Sequence, residues 1–282
     1  MKLPGLKTKI FVDGGDPAET RKVLSHLGFL DGQTTNPTLI AQNPQAAGKD
    51  PLGFYKTIVQ EIASIIPQGS ISIEVYADHG TSAEEMLKQG REMFTWIKNG
   101  QIKFPTTTEG LKAAQQAIKE GMRINMTLVF SQEQAAAVYA ATLGAKRGDV
   151  YVSPFIGRLD DRGQNGIDLI ANITKMYAAG DGHVELLTAS VRSVDHLLAA
   201  IALGSDIVSC PAATVLKTWH EQGMPMPDDN FRYSRPDLKP IAYREITLDK
   251  PWDSYNISHE LTDIGLDKFA ADWNKLVGSH PL

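Results

Sequence analysis

The sequence predicts an α/β fold: a (β/α)8 TIM barrel followed by an arm and a C-terminal helix. Short β-branched or apolar runs alternate with amphipathic stretches up to about residue 222. They form units of about 20–35 residues with no long break, the spacing of a parallel sheet joined by crossover helices. A doubly wound open sheet, the nearest alternative, needs a Gly-x-Gly-x-x-Gly turn after an early strand. Gly14-Gly15-Asp16 does not supply it.

Residues 9–13, 32–35, 70–77, 101–105, 123–130, 149–155, 183–190 and 205–210 read as strands. Each is followed by helical apolar spacing, as in 18–27, 111–120, 132–143, 167–177 and 194–203. Gly28, Gly144, Gly180 and Gly204 fall where helix C-caps are expected. Thr106 and Thr108 ahead of Glu109, and Ser193 ahead of Val194, read as N-caps.

Residues 1–222 are thus expected to form the catalytic barrel, and 223–282 an appendage. Residues 223–257 are Pro-rich, with Phe231, Tyr233, Tyr243, Trp252 and Tyr255 interleaved with Arg232, Arg235, Lys239 and Arg244. Interleaving of this kind suits single-stranded nucleic acid. An arm packing its aromatics on the barrel or on a neighbouring subunit is the favoured reading. The last helix, 261–276, carries an apolar stripe of Leu261, Ile264, Phe269, Trp273 and Leu276.

The chain of 282 residues has a net charge of -5, which gives no electrostatic reason to expect a nucleic-acid partner. No apolar run approaches the ~20 residues that cross a bilayer, and Met1-Lys2-Leu3-Pro4 opens no signal peptide. No membrane partner and a cytoplasmic location are therefore expected. The one cysteine, Cys210, excludes an intrachain disulfide, fits a reducing compartment and lacks the context of a nucleophile. The seven histidines never pair at ligand spacing, so neither a metal nor another cofactor is expected.

One lysine stands out, in Gln101-Ile102-Lys103-Phe104-Pro105-Thr106-Thr107. A strand lysine more often blunts an exposed sheet edge. Directed into a closed barrel, Lys103 would lose water, which favours the neutral amine that forms a Schiff base. Asp13, Thr34, Asn36, Glu74, Lys103, Thr106, Asn125, Thr127, Ser153, Ser190 and Arg192 all lie at or near C-terminal strand ends. In a barrel those positions converge on one mouth, and they are too many for capping alone.

These blocks resemble the transaldolase family. Phe11-Val12-Asp13, the run from Asp31 to Ile40 containing Thr34-Thr35-Asn36-Pro37, and the run from Lys103 to Leu111 are similar to its successive signatures. Asn125-Met126-Thr127, Ser153-Pro154-Phe155-Ile156-Gly157-Arg158 and Ala189-Ser190-Val191-Arg192 follow in the same order. Departures fall at Gly14, Gln33, Gly100 and Phe104, of which Gly14 and Phe104 are expected to flank the pocket.

The resemblance implies that Lys103 forms an imine with a ketose and that Asp13 is the base on its C4 hydroxyl. It implies that Glu74 works through a water held partly by Thr127. Asn36, Asn125 and Ser153 would bind the hydroxyls of a dihydroxyacetone unit, with Thr34 and Phe155 beside them. Arg158, Ser190 and Arg192 would clamp a phosphate, the arginines supplying a permanent, forked charge. Ion pairs of the arginines with Asp160 or Asp195 are the plainer alternative.

The function implied is transfer of dihydroxyacetone from fructose 6-phosphate or sedoheptulose 7-phosphate to an aldose phosphate. These sugar phosphates are the expected partners, and the chain is expected to be a homo-oligomer. An aldolase of the same family, releasing the free three-carbon unit, is the alternative. There, Gln and Tyr stand in place of Glu74 and Phe155. A non-catalytic sugar-phosphate-binding barrel is the third reading, and it has no use for the amine.

Overall fold

In a computed structural model that describes residues 2–278, eight strands close into a barrel in chain order. They are β1 (Lys9–Asp13), β2 (Gly32–Thr34), β3 (Ser70–Glu74), β4 (Gly100–Pro105), β5 (Ile124–Val129), β6 (Val150–Pro154), β7 (Val184–Thr188) and β8 (Ile207–Pro211). Every pairing is parallel, and β8 returns to β1 through Lys9↔Ile207 to Asp13↔Pro211. The strands are near-continuously buried because a barrel with an outer helical layer covers both faces.

The outer layer comprises α1 (Pro17–Leu27), α2 (Pro37–Ala41), α3 (Pro51–Ile65), α4 (Ala83–Phe94), α5 (Thr108–Lys119), α6 (Gln132–Ala141), α7 (Ile156–Asp160), α8 (Gly166–Tyr177), α9 (Val194–Ala202) and α10 (Lys217–Glu221). The starts are chemically marked. Asp16, Asp50 and Ser82 accept hydrogen bonds from first-turn amides, and Pro17 and Pro51 occupy first helical positions. The N-cap of α5 is Thr107, whose side chain accepts from Gly110 N, rather than Thr106 or Thr108. Ser193 caps α9 as expected.

Gly28, Gly144 and Gly204 take the left-handed conformation expected after a helix. Gly180 does not; it lies where a Cβ would come within 2.7 Å of the Tyr139 ring. There the absent side chain serves close packing.

Two further chain turns shape the mouth. Leu128 sits at φ 60°, where the register of β5 against β6 shifts between Met126 and Val129. Its carbonyl accepts from Thr262 Oγ1 of α11 (Glu260–Gly278), which lies over this end of the barrel. Leu261, Phe269 and Leu276 of α11 are buried, but Ile264 is 42% exposed and is not part of the packed stripe.

Residues 223–257 contain one 3-10 turn, Trp252–Ser254, and run along the barrel. Lys239 N donates to Gly163 O and Asn165 N to Lys239 O, each at 2.8 Å. Asp168 accepts from Ile241 N, and the Gln132 amide brackets the Arg244 backbone. Buried Trp219 pins the start of the arm by donating to Pro225 O at 2.8 Å. No helix among the described residues is long and apolar enough to cross a membrane.

Candidate active site

Strand register builds the centre. Glu74 of β3, Lys103 of β4 and Asn125 of β5 are successive Cα partners, so their side chains share one level and one face. Lys103 is 3% and Glu74 4% exposed. Lys103 Nζ stands 2.8 Å from Glu74 Oε2 and donates to Thr35 O at 3.0 Å. The apolar flanks that mark Lys103 in the sequence lie on the other face. Phe104 packs outward, within 3.1 Å of where a Cβ on Gly90 of α4 would stand. It therefore supports the helical layer and does not flank the pocket. The lysine has polar partners inside and apolar neighbours outside.

A hydrogen-bonded chain holds both partners of Lys103. Thr35 Oγ1 donates to Ser72 O at 2.7 Å, so the Tyr55 hydroxyl must donate to Thr35 Oγ1 at 2.5 Å. Tyr55 OH in turn accepts from Glu74 N at 2.9 Å. Burial pushes the Tyr55 phenol up, keeping this donor protonated.

Burial also pushes the Glu74 carboxyl up, opposed by the Lys103 charge. Among the described residues, Glu74 Oε2 has no hydrogen-bond partner beyond the ion-pair contact, and neither has buried Thr127 Oγ1. Buried polar atoms are nearly always paired, so both are suited to a water or a substrate atom. Asp13 is likewise pushed up by loss of water, countered by Thr34 and Lys103. Its Oδ1 accepts from Thr34 Oγ1 at 2.6 Å, and Ser209 Oγ supports Thr34 from the other side at 2.5 Å. Asn125 is oriented by donating to Ser72 Oγ at 3.0 Å and accepting from Ser153 Oγ at 2.6 Å.

Gly14 and Gln33, read from the sequence as departures from the pattern it resembles, are bonded to each other. The buried Gln33 amide donates to Gly14 O at 2.9 Å and accepts from Thr20 Oγ1, so the pair forms a structural tie behind Asp13.

Above this centre lies a cavity of about 210 Å3 lined by Asp13, Thr34, Asn36, Lys103, Ser153, Phe155, Arg158, Ser190 and Arg192. Of the residues expected from the sequence, Glu74, Asn125 and Thr127 do not line it. Glu74 borders a neighbouring cavity of about 540 Å3 with Trp273 and Met93. Asn36 Oδ1 caps α2 by accepting from Leu39 N, so its carbonyl oxygen already has a partner.

The rim is cationic. Arg158 of α7 lies over the rings of Phe155 and Phe269, at 5.2 and 5.4 Å, and forms no ion pair among the described residues. Burial lowers its pKa from the ordinary guanidinium value. Arg192, half exposed, pairs with Asp161 at 2.7 Å rather than with Asp160 or Asp195. β7 ends at Thr188, and Ser190 adopts φ 58°, so a turn rather than strand alternation brings Ser190 and Arg192 to the cavity. No group of three His, Cys, Asp or Glu among the described residues is placed to hold a metal. Cys210 is buried in β8, its thiol pushed up by burial.

Residues 10–280 match the sequence profile of the Transaldolase/Fructose-6-phosphate aldolase family. The chain belongs to that family. It is 38% identical over 267 residues to a "Probable transaldolase" of Brucella ovis, covering 95% of this chain and 97% of that one. Similar proteins with the same description come from Lactiplantibacillus plantarum, at 36% over 265 residues, and Dehalococcoides mccartyi, at 34% over 268. They cover 94% and 95% of this chain and 96% and 99% of theirs, respectively. Among solved structures, a member of the enolase superfamily from Agrobacterium tumefaciens superposes with a TM-score of 0.51 at 13% identity. The match spans 75% of this chain and 51% of that one, and shows likeness of fold alone.

In this member of the transaldolase/fructose-6-phosphate aldolase family, several residues at the site escape sequence reading. Lys268 and Phe269 of α11 line the cavity, and Lys268 pairs with Asp272 at 3.0 Å. In sequence that pair is an ordinary i,i+4 surface bridge. Ser72 and Ser209 had a usable signal: each lies two residues from a strand end and therefore shares the face of the residue there. Tyr55 had none, because a helical tyrosine in an apolar stripe reads as core.

Proposed function

We propose that the chain is a transaldolase that carries dihydroxyacetone between sugar phosphates as a Lys103 Schiff base. The observation that carries this reading is the 2.8 Å contact of Lys103 Nζ with Glu74 Oε2 below a cavity rimmed by two arginines. The raised Glu74 carboxyl is suited to accept a proton from the ammonium, freeing the amine to attack the ketose C2 carbonyl. The carbinolamine loses water, with Glu74 and Thr127 as the groups that handle it, and leaves an iminium. Asp13 takes the C4 hydroxyl proton and the C3–C4 bond breaks. The aldose phosphate leaves, and the bonding electrons are stored as an enamine.

The enamine then attacks the acceptor aldehyde, Asp13 returns its proton to the new hydroxyl, and water hydrolyses the imine. Asn36 and Ser153 hold the three-carbon unit, and Asn125 orients Ser153 by accepting from its hydroxyl. Arg158 and Arg192, with Ser190 and Lys268, hold the phosphate. Glu74 and Phe155, standing where aldolases of the family carry Gln and Tyr, favour transfer over release.

The test is a matched assay. Transfer from fructose 6-phosphate to erythrose 4-phosphate is compared with release of free dihydroxyacetone from fructose 6-phosphate alone. Transfer should exceed release at least about tenfold, a margin of roughly 1.4 kcal/mol in barrier. Faster release would assign the aldolase activity instead.

A further inference from the structure

His196 of α9 is 2% exposed, and three segments meet on its ring. Nδ1 accepts from Arg192 N at 3.3 Å, which places the ring hydrogen on Nε2. Nε2 stands 2.9 Å from Asp160 Oδ2 and 2.8 Å from the Tyr233 hydroxyl. Asp160 belongs to α7, the five-residue helix that carries Arg158. Arg192 belongs to the turn after β7. Tyr233 belongs to the arm. One imidazole therefore joins both arginine-bearing segments of the cavity rim to residues 223–257.

The turn has need of such a tie. Ser190 is held at φ 58°, a conformation that side chains other than glycine adopt at a cost and only where their surroundings hold them. Its carbonyl accepts from Gly157 N at 3.0 Å, and a Cβ on Gly157 would lie 2.6 Å from Arg192 Nε. The Arg192 stem thus lies on the α7 backbone, and His196 holds its main-chain N–H. Because Arg192 is half exposed, its own guanidinium contact with Asp161 is a weak constraint.

We infer that His196 is a positioning residue. It sets Arg192 relative to Arg158 and, through Tyr233, makes the arm part of the device that selects phosphorylated substrates. This rests on the reading of the two arginines as a phosphate clamp.

The test compares glyceraldehyde 3-phosphate with glyceraldehyde as acceptor, using steady-state kinetics. His196→Gln keeps a donor near the Nε2 position but leaves Arg192 N without its acceptor. His196→Asn keeps the acceptor and loses the reach to Asp160 and Tyr233. Tyr233→Phe removes only the arm's hydroxyl and leaves a partly exposed ring in place.

For His196→Gln, KM for the phosphorylated acceptor should rise about fivefold, no more than in Arg192→Ala, with kcat within about twofold, and glyceraldehyde should be unaffected. His196→Asn and Tyr233→Phe should move the same ratio by about two- to fivefold. Equal losses with both acceptors, a fall in kcat without a change in KM, or a wild-type ratio in Tyr233→Phe would overturn the inference. A wild-type enzyme that does not prefer the phosphorylated acceptor would overturn the clamp itself, and this inference with it.

Discussion

Lys103 and Glu74 are Cα partners on adjacent strands, and their charged ends meet at 2.8 Å inside the barrel. The contact follows from register: slipping β4 by one residue would turn Lys103 into the helical layer and Phe104 into the cavity. It also joins a buried amine of the cavity to a carboxyl that burial pushes toward the protonated form. A proton can pass between the two with little movement of either side chain.

Glu74→Gln should therefore depress the rate of transfer about 100-fold or more, because an amide neither gives nor takes a proton. KM for fructose 6-phosphate should stay within a few fold. The check is steady-state kinetics beside a thermal melt showing that the variant folds. Undiminished transfer would leave Glu74 as a packing partner of Lys103.

Asp13→Asn is expected to abolish transfer and to stabilise the fold at neutral pH. The Asp13 carboxyl is raised by loss of water, so the native state binds its proton more tightly than the unfolded chain does. Stability then falls as pH rises from the ordinary carboxylate range, about 3.9, through the raised value. Asparagine still accepts from Thr34 but carries no charge to desolvate. The gain in Tm of the variant over wild type should be larger at pH 8 than at pH 4. A gain independent of pH would show that the charge of Asp13 is not what the fold opposes.

Arg158→Ala should weaken phosphorylated substrates more than Arg192→Ala. Arg158 lies between two aromatic rings with no ion pair among the described residues, whereas Arg192 is half exposed and already paired with Asp161. Loss of a charge-assisted contact costs roughly 1.5–3 kcal/mol, or about a tenfold to hundredfold rise in KM. Arg192→Ala should fall at or below the lower end. Inhibition by inorganic phosphate gives an independent measure. Equal sensitivity to phosphate in wild type and Arg158→Ala would remove Arg158 from the anion site.

Gly265→Ala separates helix stability from site geometry. Alanine in the interior of α11 gains about 0.5–1 kcal/mol of helix propensity. Its Cβ would lie 2.7 Å from Arg158 Nη1, the end of a flexible side chain, and 2.6 Å from Cδ2 of fully buried Leu128, which offsets part of that gain. The expected result is a small change in Tm with a several-fold rise in KM for sugar phosphates. An unchanged KM would mean that Arg158 acts equally well from the displaced position.

The barrel is legible in the sequence because eight apolar runs, covered on both faces, each lead into a helix pattern. The order of the strand-end polar residues made most of the cavity lining legible too. Short helices were not: α2 and α7 have five residues each, too few for a period to show. Phe104 was misplaced even though strand alternation from Lys103 assigns it outward. Lys268 hid as a helical ion pair, and the role of His196 depends on three segments whose meeting no local pattern announces. The path of the arm is set mainly by backbone hydrogen bonds to barrel residues, which leave no periodic trace.

The central claim is that Lys103 bonds covalently to the ketose. Borohydride reduction in the presence of fructose 6-phosphate, followed by peptide mass spectrometry, tests it most directly. The account predicts one reduced three-carbon adduct on Lys103, accompanied by loss of activity, and none in Lys103→Arg. An adduct on Lys268 or any other lysine, or complete turnover by Lys103→Arg, would contradict it.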